Sequence, residues 1–200
     1  MKTCKLGPFR VAEIGLGCMN LSHAYGVPPP VEVAEKVLLE AVARGVTLFD
    51  TAALYGFGEN EELVGRVLAP HRESIVLATK CGMTGVEFHD GEKRVIDGRP
   101  EAIRRDCEAS LKRLGTQVID LYYLHRVDLR NEVPVEDTVG EMSRLVAEGK
   151  VRALGLSECS VTTLQRAHDV RVHRSAVGRW LHRLGLSHKK NPARRRATAS

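Results

Sequence analysis

Five side chains in this sequence have types and positions that suit proton transfer. Asp50, Lys80, His125 and Ser157 each follow a short apolar run, and Tyr55 lies shortly after the first of them. A tyrosine phenol has an ordinary pKa of about 10, and a lysine ammonium beside it favours the ionised form. An aspartate would keep that ammonium charged and oriented, and a histidine could orient a carbonyl oxygen for protonation by the phenol. His125 alone is a poor metal-ligand set, so the pattern predicts an acid–base site without a metal.

Alternating strands and helices are predicted to position these side chains. Apolar runs of strand length alternate with segments of helical spacing, which is typical of βαβ units and a parallel sheet. The predicted strands are 14–20, 46–50, 75–80, 120–125 and 151–157, after a strand or hairpin at 9–14, and the predicted helices are 31–44, 59–68, 100–114, 135–148 and 161–168. The polar segment between 80 and 100 is predicted to be a loop. Because the carboxyl ends of parallel strands open on one face, we expect the five side chains to lie there.

The strand pattern alone leaves two architectures open, a barrel and a doubly wound sheet. The segment Gly15-Leu-Gly17 lacks the third glycine of a dinucleotide-binding fingerprint and does not open directly into a helix. As a phosphate cradle it is weak, which disfavours the doubly wound sheet.

Composition narrows the class of protein. The chain has 200 residues, of which 43% are hydrophobic, and no apolar run approaches the length of about 20 residues that a membrane span needs. Without a membrane span or an apolar leader, a cytoplasmic protein is the default prediction. The five cysteines are widely spaced and include no Cys-x-x-Cys pair, so we expect reduced thiols. Cys81 and Cys159 lie beside the predicted site, where small apolar packing residues are a better interpretation than nucleophiles.

The charge distribution divides the chain into two parts. Nine of the 30 basic residues and none of the 25 acidic residues lie in 171–200, which leaves residues 1–170 with a net charge of −4. We therefore predict a mildly acidic domain at 1–170 and a basic tail at 171–200. The overall charge of +5 consequently says nothing about what the domain binds.

Several spaced motifs resemble those of the aldo/keto reductases, over nearly all of residues 5–170. They are Gly-Leu-Gly-Cys-Met at 15–19, Phe-Asp-Thr-Ala-Ala-Leu-Tyr-Gly at 49–56, Leu-Ala-Thr-Lys at 77–80, Ser-Leu-Lys-Arg-Leu-Gly at 110–115, Asp-Leu-Tyr-Tyr-Leu-His-Arg-Val-Asp at 120–128 and Gly-Lys-Val-Arg-Ala-Leu-Gly-Leu-Ser at 149–157. The resemblance implies an α/β fold of the (β/α)8 TIM-type barrel and NADPH-dependent reduction of small-molecule aldehydes or ketones. It also implies catalytic roles for four residues. Tyr55 would be the general acid, Lys80 would tune it, Asp50 would support Lys80, and His125 would orient the carbonyl.

The resemblance further implies three cofactor-binding residues. Ser157 would contact the nicotinamide carboxamide, and Met19 would line the nicotinamide pocket. Many family members have Asn after the serine, whereas this chain has Glu158, a form similar to one bacterial subgroup. The cofactor contact expected of Glu158 is therefore the weakest of the three.

Each site residue also has a purely structural interpretation. Asp50 could cap a helix, Lys80 could be a solvated lysine, Tyr55 a packing residue, His125 a core histidine and Ser157 a helix N-cap. Taken singly, each of these interpretations is the better one. The predicted placement of all five on one face, together with the family resemblance, favours a reductase-derived site.

The resemblance ends near Asp169, after five βα units. We therefore expect an incomplete barrel, because three strands of the family pattern are absent. By resemblance, the absent part would supply an aromatic ring that stacks on the nicotinamide, a glutamine near it and a basic loop for the adenosine phosphate. We expect weak cofactor binding, impaired activity and unpaired strand edges that favour aggregation.

The basic tail offers a second function. A helix is predicted from Ser175 to Gly185, with arginines and lysines around it, and it resembles the helix-turn-helix segment of insertion-sequence transposases. A single helix of this kind would bind nucleic acid weakly, through phosphates. The alternative function for the chain is therefore an inactive reductase fragment fused to a nucleic-acid-binding transposase remnant. For the tail itself, a basic segment that binds no target is an equally good interpretation.

Overall fold

The computed structural model describes residues 1–22, 26–88, 91–127 and 133–168, and for 84–88 and 91–94 it describes the backbone alone. The tail predicted at 171–200, with its helix and its nucleic-acid binding, lies outside these residues. Within the described ranges, no helix is both long and apolar enough to cross a membrane.

Strands and helices alternate along most of the described chain. The strands are β1 (Thr3–Leu6), β2 (Phe9–Ala12), β3 (Leu16–Gly17), β4 (Leu48–Asp50), β5 (Val76–Cys81), β6 (Met83–Phe88), β7 (Gly91–Ile96), β8 (Ile119–Leu124) and β9 (Val151–Leu156). The helices are α1 (Val31–Ala43), α2 (Glu59–Leu68), α3 (Pro100–Leu114), α4 (Val135–Ala147) and α5 (Val161–His168). Short 3₁₀ turns occupy Met19–Leu21, Tyr55–Gly58 and Ala69–Ser74.

One parallel sheet organises the fold. Its order is β3-β4-β5-β8-β9, and every neighbouring pair is parallel. Helices α1 to α4 connect successive strands of this sheet, as parallel pairing requires. The α/β fold with five βα units is thus confirmed, as an open arc of a barrel in which β3 and β9 are the edge strands of the described sheet.

The helix ends follow from local sequence. Helix α3 begins at Pro100, whose missing N–H costs nothing in the first turn. It ends at Leu114 and is capped by Gly115, which has a φ of 62° and donates its N–H to the carbonyl of Lys112 at 3.2 Å. A left-handed glycine at this position satisfies carbonyls of the last turn, so the boundary of α3 is set by these two residues.

A buried carboxylate locks the central strands together. Asp120 of β8 is fully buried, and its Oδ2 accepts a hydrogen bond from the Leu77 N–H at 2.9 Å. Arg72 contacts Oδ2 and Arg152 contacts Oδ1, each at 2.7 Å. Because a buried charge needs such partners, Asp120 holds β5, β8 and β9 in fixed relation.

The opening strand or hairpin predicted at 9–14 is a hairpin that begins earlier in the chain, and the structure contains a second hairpin that the sequence analysis missed. Strands β1 and β2 form an antiparallel hairpin before the sheet begins, with Leu6 opposite Phe9. Strands β6 and β7 form a second hairpin, whose register pairs Met83 with Ile96. The prediction of a loop between residues 80 and 100 is therefore wrong, since cross-strand pairing outweighs the polar composition of this segment.

Candidate active site

Four of the five predicted side chains lie at the carboxyl ends of adjacent strands. Asp50 ends β4, Lys80 is the penultimate residue of β5, and His125 and Ser157 directly follow β8 and β9. Backbone hydrogen bonds extend the strand register to these residues. The His125 N–H donates to the Cys81 carbonyl at 2.9 Å, and the Ser157 N–H donates to the carbonyl of the last residue of β8 at 3.0 Å. The sheet therefore places these residues along one edge.

The amine of Lys80 is the centre of the site. Its Nζ donates to Asp50 Oδ2 and to the Thr51 carbonyl, each at 2.7 Å, and to the Tyr55 hydroxyl oxygen at 3.1 Å. Lys80 is only 7% exposed. All three donor directions of the ammonium thus have an oxygen partner, which is what a buried positive charge requires.

Asp50 supplies the negative charge that balances Lys80. Its side chain retains 35% exposure, and the ion pair with Lys80 is 2.7 Å long. Burial raises the pKa of Asp50 above its ordinary value of 3.8, and the Lys80 charge and hydrogen bond oppose that shift. Burial therefore outweighs the cation in setting the proton affinity of this carboxylate.

Tyr55 joins the amine to the histidine. The Tyr55 side chain is 8% exposed, and its ring centroid lies 4.7 Å from Lys80 Nζ. The Tyr55 and His125 rings meet edge to face, with centroids 5.8 Å apart and planes at 88°. The structure therefore brings Asp50, Lys80, Tyr55 and His125 into one cluster of acid–base groups.

An unusual turn fixes Tyr55. The next three residues, Gly56, Phe57 and Gly58, all have positive φ, at 55°, 50° and 106°. Phenylalanine rarely adopts this conformation, and such strain persists only where surrounding structure imposes it. A Cβ on Gly56 would lie 3.0 Å from Ser22 Cβ, so the turn after Tyr55 also packs closely against the loop after β3.

Asn60 is a site-supporting residue that the sequence analysis missed. It is fully buried in α2, and its Oδ1 accepts a hydrogen bond from Thr51 Oγ1 at 2.7 Å. Its Nδ2 donates to the Cys18 carbonyl at 2.9 Å and to Ser22 Oγ at 3.0 Å. Asn60 thereby ties the loop after β3 to the end of β4. The available signal was a polar residue between the glutamates of an amphipathic helix start, which by itself does not distinguish a buried from a solvated position.

The three predicted cofactor residues occupy the same edge with different surroundings. Met19 is half-buried and packs against the apolar cluster that includes Tyr55. Ser157 is half-buried at the end of β9. Glu158 is exposed, has a φ of 49° and forms an ion pair with Arg126 at 2.8 Å. Met19 and Ser157 thus lie on the face of the acid–base cluster, whereas the Glu158 carboxylate is engaged by Arg126.

The cysteines near the site are not activated. All five cysteines are unpaired. Burial raises the pKa of the Cys81 thiol, and it raises the pKa of the half-buried Cys159 thiol as well. Because the thiolate is the nucleophile, both thiols are poor nucleophiles at neutral pH.

Comparison with known proteins decides the family. The model of the aldo/keto reductase family matches residues 13–183. The chain belongs to the aldo/keto reductase family. The match ends within the segment for which the charge distribution predicts a separate tail.

Individual aldo/keto reductases agree with this assignment. The chain is 47% identical over 169 residues to "Probable aldo-keto reductase 1" of Glycine max, covering 83% of this chain and 47% of that protein. A glycerol dehydrogenase from Gluconobacter oxydans superposes with a TM-score of 0.74 at 32% identity, over 84% of this chain and 52% of that one. An aldo-keto reductase from Klebsiella pneumoniae in complex with NADPH superposes with a TM-score of 0.60 at 34% identity, over 78% of this chain and 49% of that one. The chain thus spans about half the length of these relatives.

Proposed function

We propose that this chain is an NADPH-dependent oxidoreductase that reduces aldehydes or ketones to alcohols. The observation that carries the proposal is the contact of one buried amine, Lys80 Nζ, with both the Asp50 carboxylate and the Tyr55 phenol. A carbonyl becomes an alcohol by gaining a hydride at carbon and a proton at oxygen. The cluster of Asp50, Lys80, Tyr55 and His125 suits the second of these steps.

Tyr55 is the proton donor in this proposal. When its O–H proton moves to the carbonyl oxygen, a phenolate remains, and the Lys80 ammonium at 3.1 Å stabilises that negative charge. Asp50 and the Thr51 carbonyl hold the amine in place. His125, whose ring meets Tyr55 edge to face, would donate a hydrogen bond from its imidazole to the same carbonyl oxygen.

The residues around the cluster fit a nicotinamide. A Cβ built on Gly17 meets no atom within 4 Å, so there is open space at the end of β3. Ser157 and Met19 are both half-buried on the same edge, and they would hold the carboxamide and one side of the ring. Bound there, the nicotinamide supplies the hydride, which amino-acid side chains do not provide. NADPH is the proposed form because the Klebsiella pneumoniae relative is a complex with NADPH.

Consumption of NADPH in the presence of an aldehyde and ketone panel tests the proposal. Tyr55→Phe removes the donated proton and should lower kcat by about 10²- to 10⁴-fold, the usual contribution of a general acid. Tyr122→Phe is the matched control, because Tyr122 is fully buried in the helix-side core. It should leave kcat within about twofold of the wild type once differences in folded fraction are corrected for. Turnover that is equally fast in Tyr55→Phe, or no turnover of any carbonyl by the wild type, would overturn the proposal.

A further inference from the structure

A buried carboxylate follows the turn at Tyr55–Gly58. Glu61 belongs to the first turn of α2, the helix that begins directly after that turn, and it is fully buried. Its Oε1 accepts a hydrogen bond from Thr79 Oγ1 at 2.6 Å, and its Oε2 accepts one from Arg113 Nε at 2.6 Å. Both oxygens of the carboxylate thus have partners, as a buried charge requires. Those partners belong to two other elements, β5 and α3.

Arg113 also contacts the turn itself. A Cβ built on Gly58 would lie 2.7 Å from Arg113 Cδ and 3.0 Å from its Nε, so the arginine side chain occupies the space beside this glycine. Gly58 has a φ of 106°, a conformation that residues other than glycine rarely adopt. The same guanidinium contacts Glu61 Oε2 through its terminal nitrogen at 2.6 Å. The ion pair therefore holds the arginine against the last residue of the turn.

The carboxylate joins the two segments that meet at the amine of the site. Successive residues of a strand point to opposite faces, so Thr79 projects away from the face on which Lys80 meets Tyr55. Glu61 binds Thr79 on that opposite side, where the strand is covered by helices. It thereby fixes α2, and the turn before it, to the strand that carries Lys80. On the other side, the Lys80 amine and the Tyr55 hydroxyl oxygen are 3.1 Å apart.

We propose that the Glu61–Arg113 ion pair is a clamp that fixes the turn at Tyr55–Gly58 and so keeps the Tyr55 hydroxyl within hydrogen-bond distance of Lys80. Both members of the pair are then positioning residues, since they act through Tyr55. A buried ion pair is weak evidence for stability, because desolvation offsets much of the attraction between its charges. A guanidinium held by a carboxylate has a fixed direction, however, which suits a contact that confines a neighbouring backbone. This inference rests on the proposed function for its catalytic consequence, but the fixing of the turn can be measured without turnover.

Hydrogen exchange of the full-length chain, followed by NMR, tests the clamp. The Tyr55 N–H donates to the Ala52 carbonyl at 3.0 Å, and the Phe57 N–H donates to the Leu54 carbonyl at 3.2 Å. Local opening of the turn breaks both hydrogen bonds and speeds exchange of these two amide protons. We expect Arg113→Met to raise their exchange rates at least about tenfold relative to those of the amide protons of α1.

Arg104→Met is the matched control. Arg104 lies in the same helix as Arg113, and its guanidinium binds Glu141 at 2.6 Å, where the Glu141 side chain is only 5% exposed. Glu141 belongs to α4, so this variant removes an ion pair of the same kind away from the turn. Exchange of the Tyr55 and Phe57 amide protons should stay within about twofold of the wild type, relative to α1.

A double variant, Glu61→Gln with Arg113→Met, separates positioning from stability. The glutamine carbonyl oxygen can still accept the hydrogen bond from Thr79, and no buried charge is left without a partner. The double variant should therefore unfold at a urea concentration closer to that of the wild type than Arg113→Met does. Exchange of the Tyr55 and Phe57 amide protons should nevertheless remain about tenfold faster than in the wild type. This variant decides the question if Arg113→Met alone does not fold.

Two results would overturn the inference. One is wild-type exchange of the Tyr55 and Phe57 amide protons in the double variant. The other is exchange in Arg104→Met as fast as in Arg113→Met, which would assign the effect to the loss of any ion pair of α3 rather than to the clamp.

Kinetics separate this inference from the proposed function. In both variants that lack Arg113, kcat for carbonyl reduction per folded molecule should fall about tenfold with little change in KM, because the proton donor and not the substrate is displaced. Arg104→Met should keep kcat within about twofold of the wild type. Unchanged kcat per folded molecule in the double variant would contradict the catalytic consequence. If the wild type reduces no carbonyl, the proposed function fails, and hydrogen exchange still decides whether the ion pair fixes the turn.

Discussion

Replacing Lys80 with methionine removes the amine and keeps an unbranched side chain of about the length of the lysine carbon chain. The three oxygen partners of Nζ, at 2.7, 2.7 and 3.1 Å, lose their donor. Removing one member of a buried ion pair costs about 3–5 kcal/mol, because the other charge stays without a partner. Asp50 keeps 35% exposure, so water replaces part of the lost interaction. We therefore expect Lys80→Met to lower the free energy of unfolding by about 2–3 kcal/mol at neutral pH.

The loss in free energy of unfolding caused by Lys80→Met should change with pH in a direction that follows from the pKa of Asp50. Burial already holds the pKa of Asp50 above 3.8 in the folded protein, against the opposing effect of Lys80. A folded state that binds the proton more tightly than the unfolded chain loses stability as pH rises from 3.8 through the folded pKa. Without Lys80 the folded pKa rises further, and the window of loss extends upward. The destabilisation by Lys80→Met should thus be smallest near about pH 4 and grow toward neutral pH.

Urea unfolding at several pH values, followed by circular dichroism, measures both effects. The series consists of the wild type, Lys80→Met, Asp50→Asn and the double variant. Because Asp50→Asn removes the stranded charge, the double variant should be more stable than the sum of the single effects by at least about 1.5 kcal/mol. Strict additivity, or a Lys80→Met penalty that does not change with pH, would refute the view that this amine compensates the buried carboxylate.

Two further predictions concern stability alone. Gly65→Ala should lower the free energy of unfolding by about 1–3 kcal/mol, because the added Cβ would lie 2.5 Å from the Leu114 carbonyl oxygen. Gly140→Ala should raise it by about 0.5–1 kcal/mol, because the added Cβ meets no atom within 4 Å and alanine favours the helix. Urea unfolding of both variants checks these signs, and equal effects would contradict the packing argument. Burial raises the pKa of Cys18 and Cys107 from 9.0 to about 12, so the unfolded chain releases protons that the folded protein retains. The free energy of unfolding should therefore fall above about pH 9, by up to about 1.4 kcal/mol per pH unit for each thiol, and Cys107→Ser should flatten that slope in pH-dependent urea unfolding.

The parallel strands could be predicted because local and global signals agree in them. The apolar run before Lys80 has strand length, and helix α3 after it is bounded by Pro100 and Gly115, which mark the same limits in sequence and structure. Buried parallel strands read as continuous apolar runs, so their carboxyl ends can be located from sequence. Once those ends are placed on one face, the proximity of Asp50 to Lys80 follows from adjacent strands.

The β6–β7 hairpin could not be found by the same reasoning. Its strands are polar, and they pair with each other rather than with the main sheet, so the apolar run that marks a buried strand is absent. The dipeptide Asp90-Gly91 between two runs of strand length is a recognised hairpin signal and was the one available clue. Asn60 was missed for a different reason, since its partners Cys18 and Ser22 are remote in sequence.

For Glu158, the role implied by the family resemblance differs from what its backbone conformation and its ion pair indicate. The resemblance places it among cofactor residues by position alone, whereas its conformation and its partner follow from this chain. A left-handed conformation costs about 1–2 kcal/mol in a residue other than glycine or asparagine, and an exposed ion pair returns at most about 1 kcal/mol. The pair with Arg126 at 2.8 Å therefore does not fully offset the φ of 49°. The turn must therefore be held by its neighbours, and the residue before it is anchored by the hydrogen bond from the Ser157 N–H to the carbonyl of the last residue of β8.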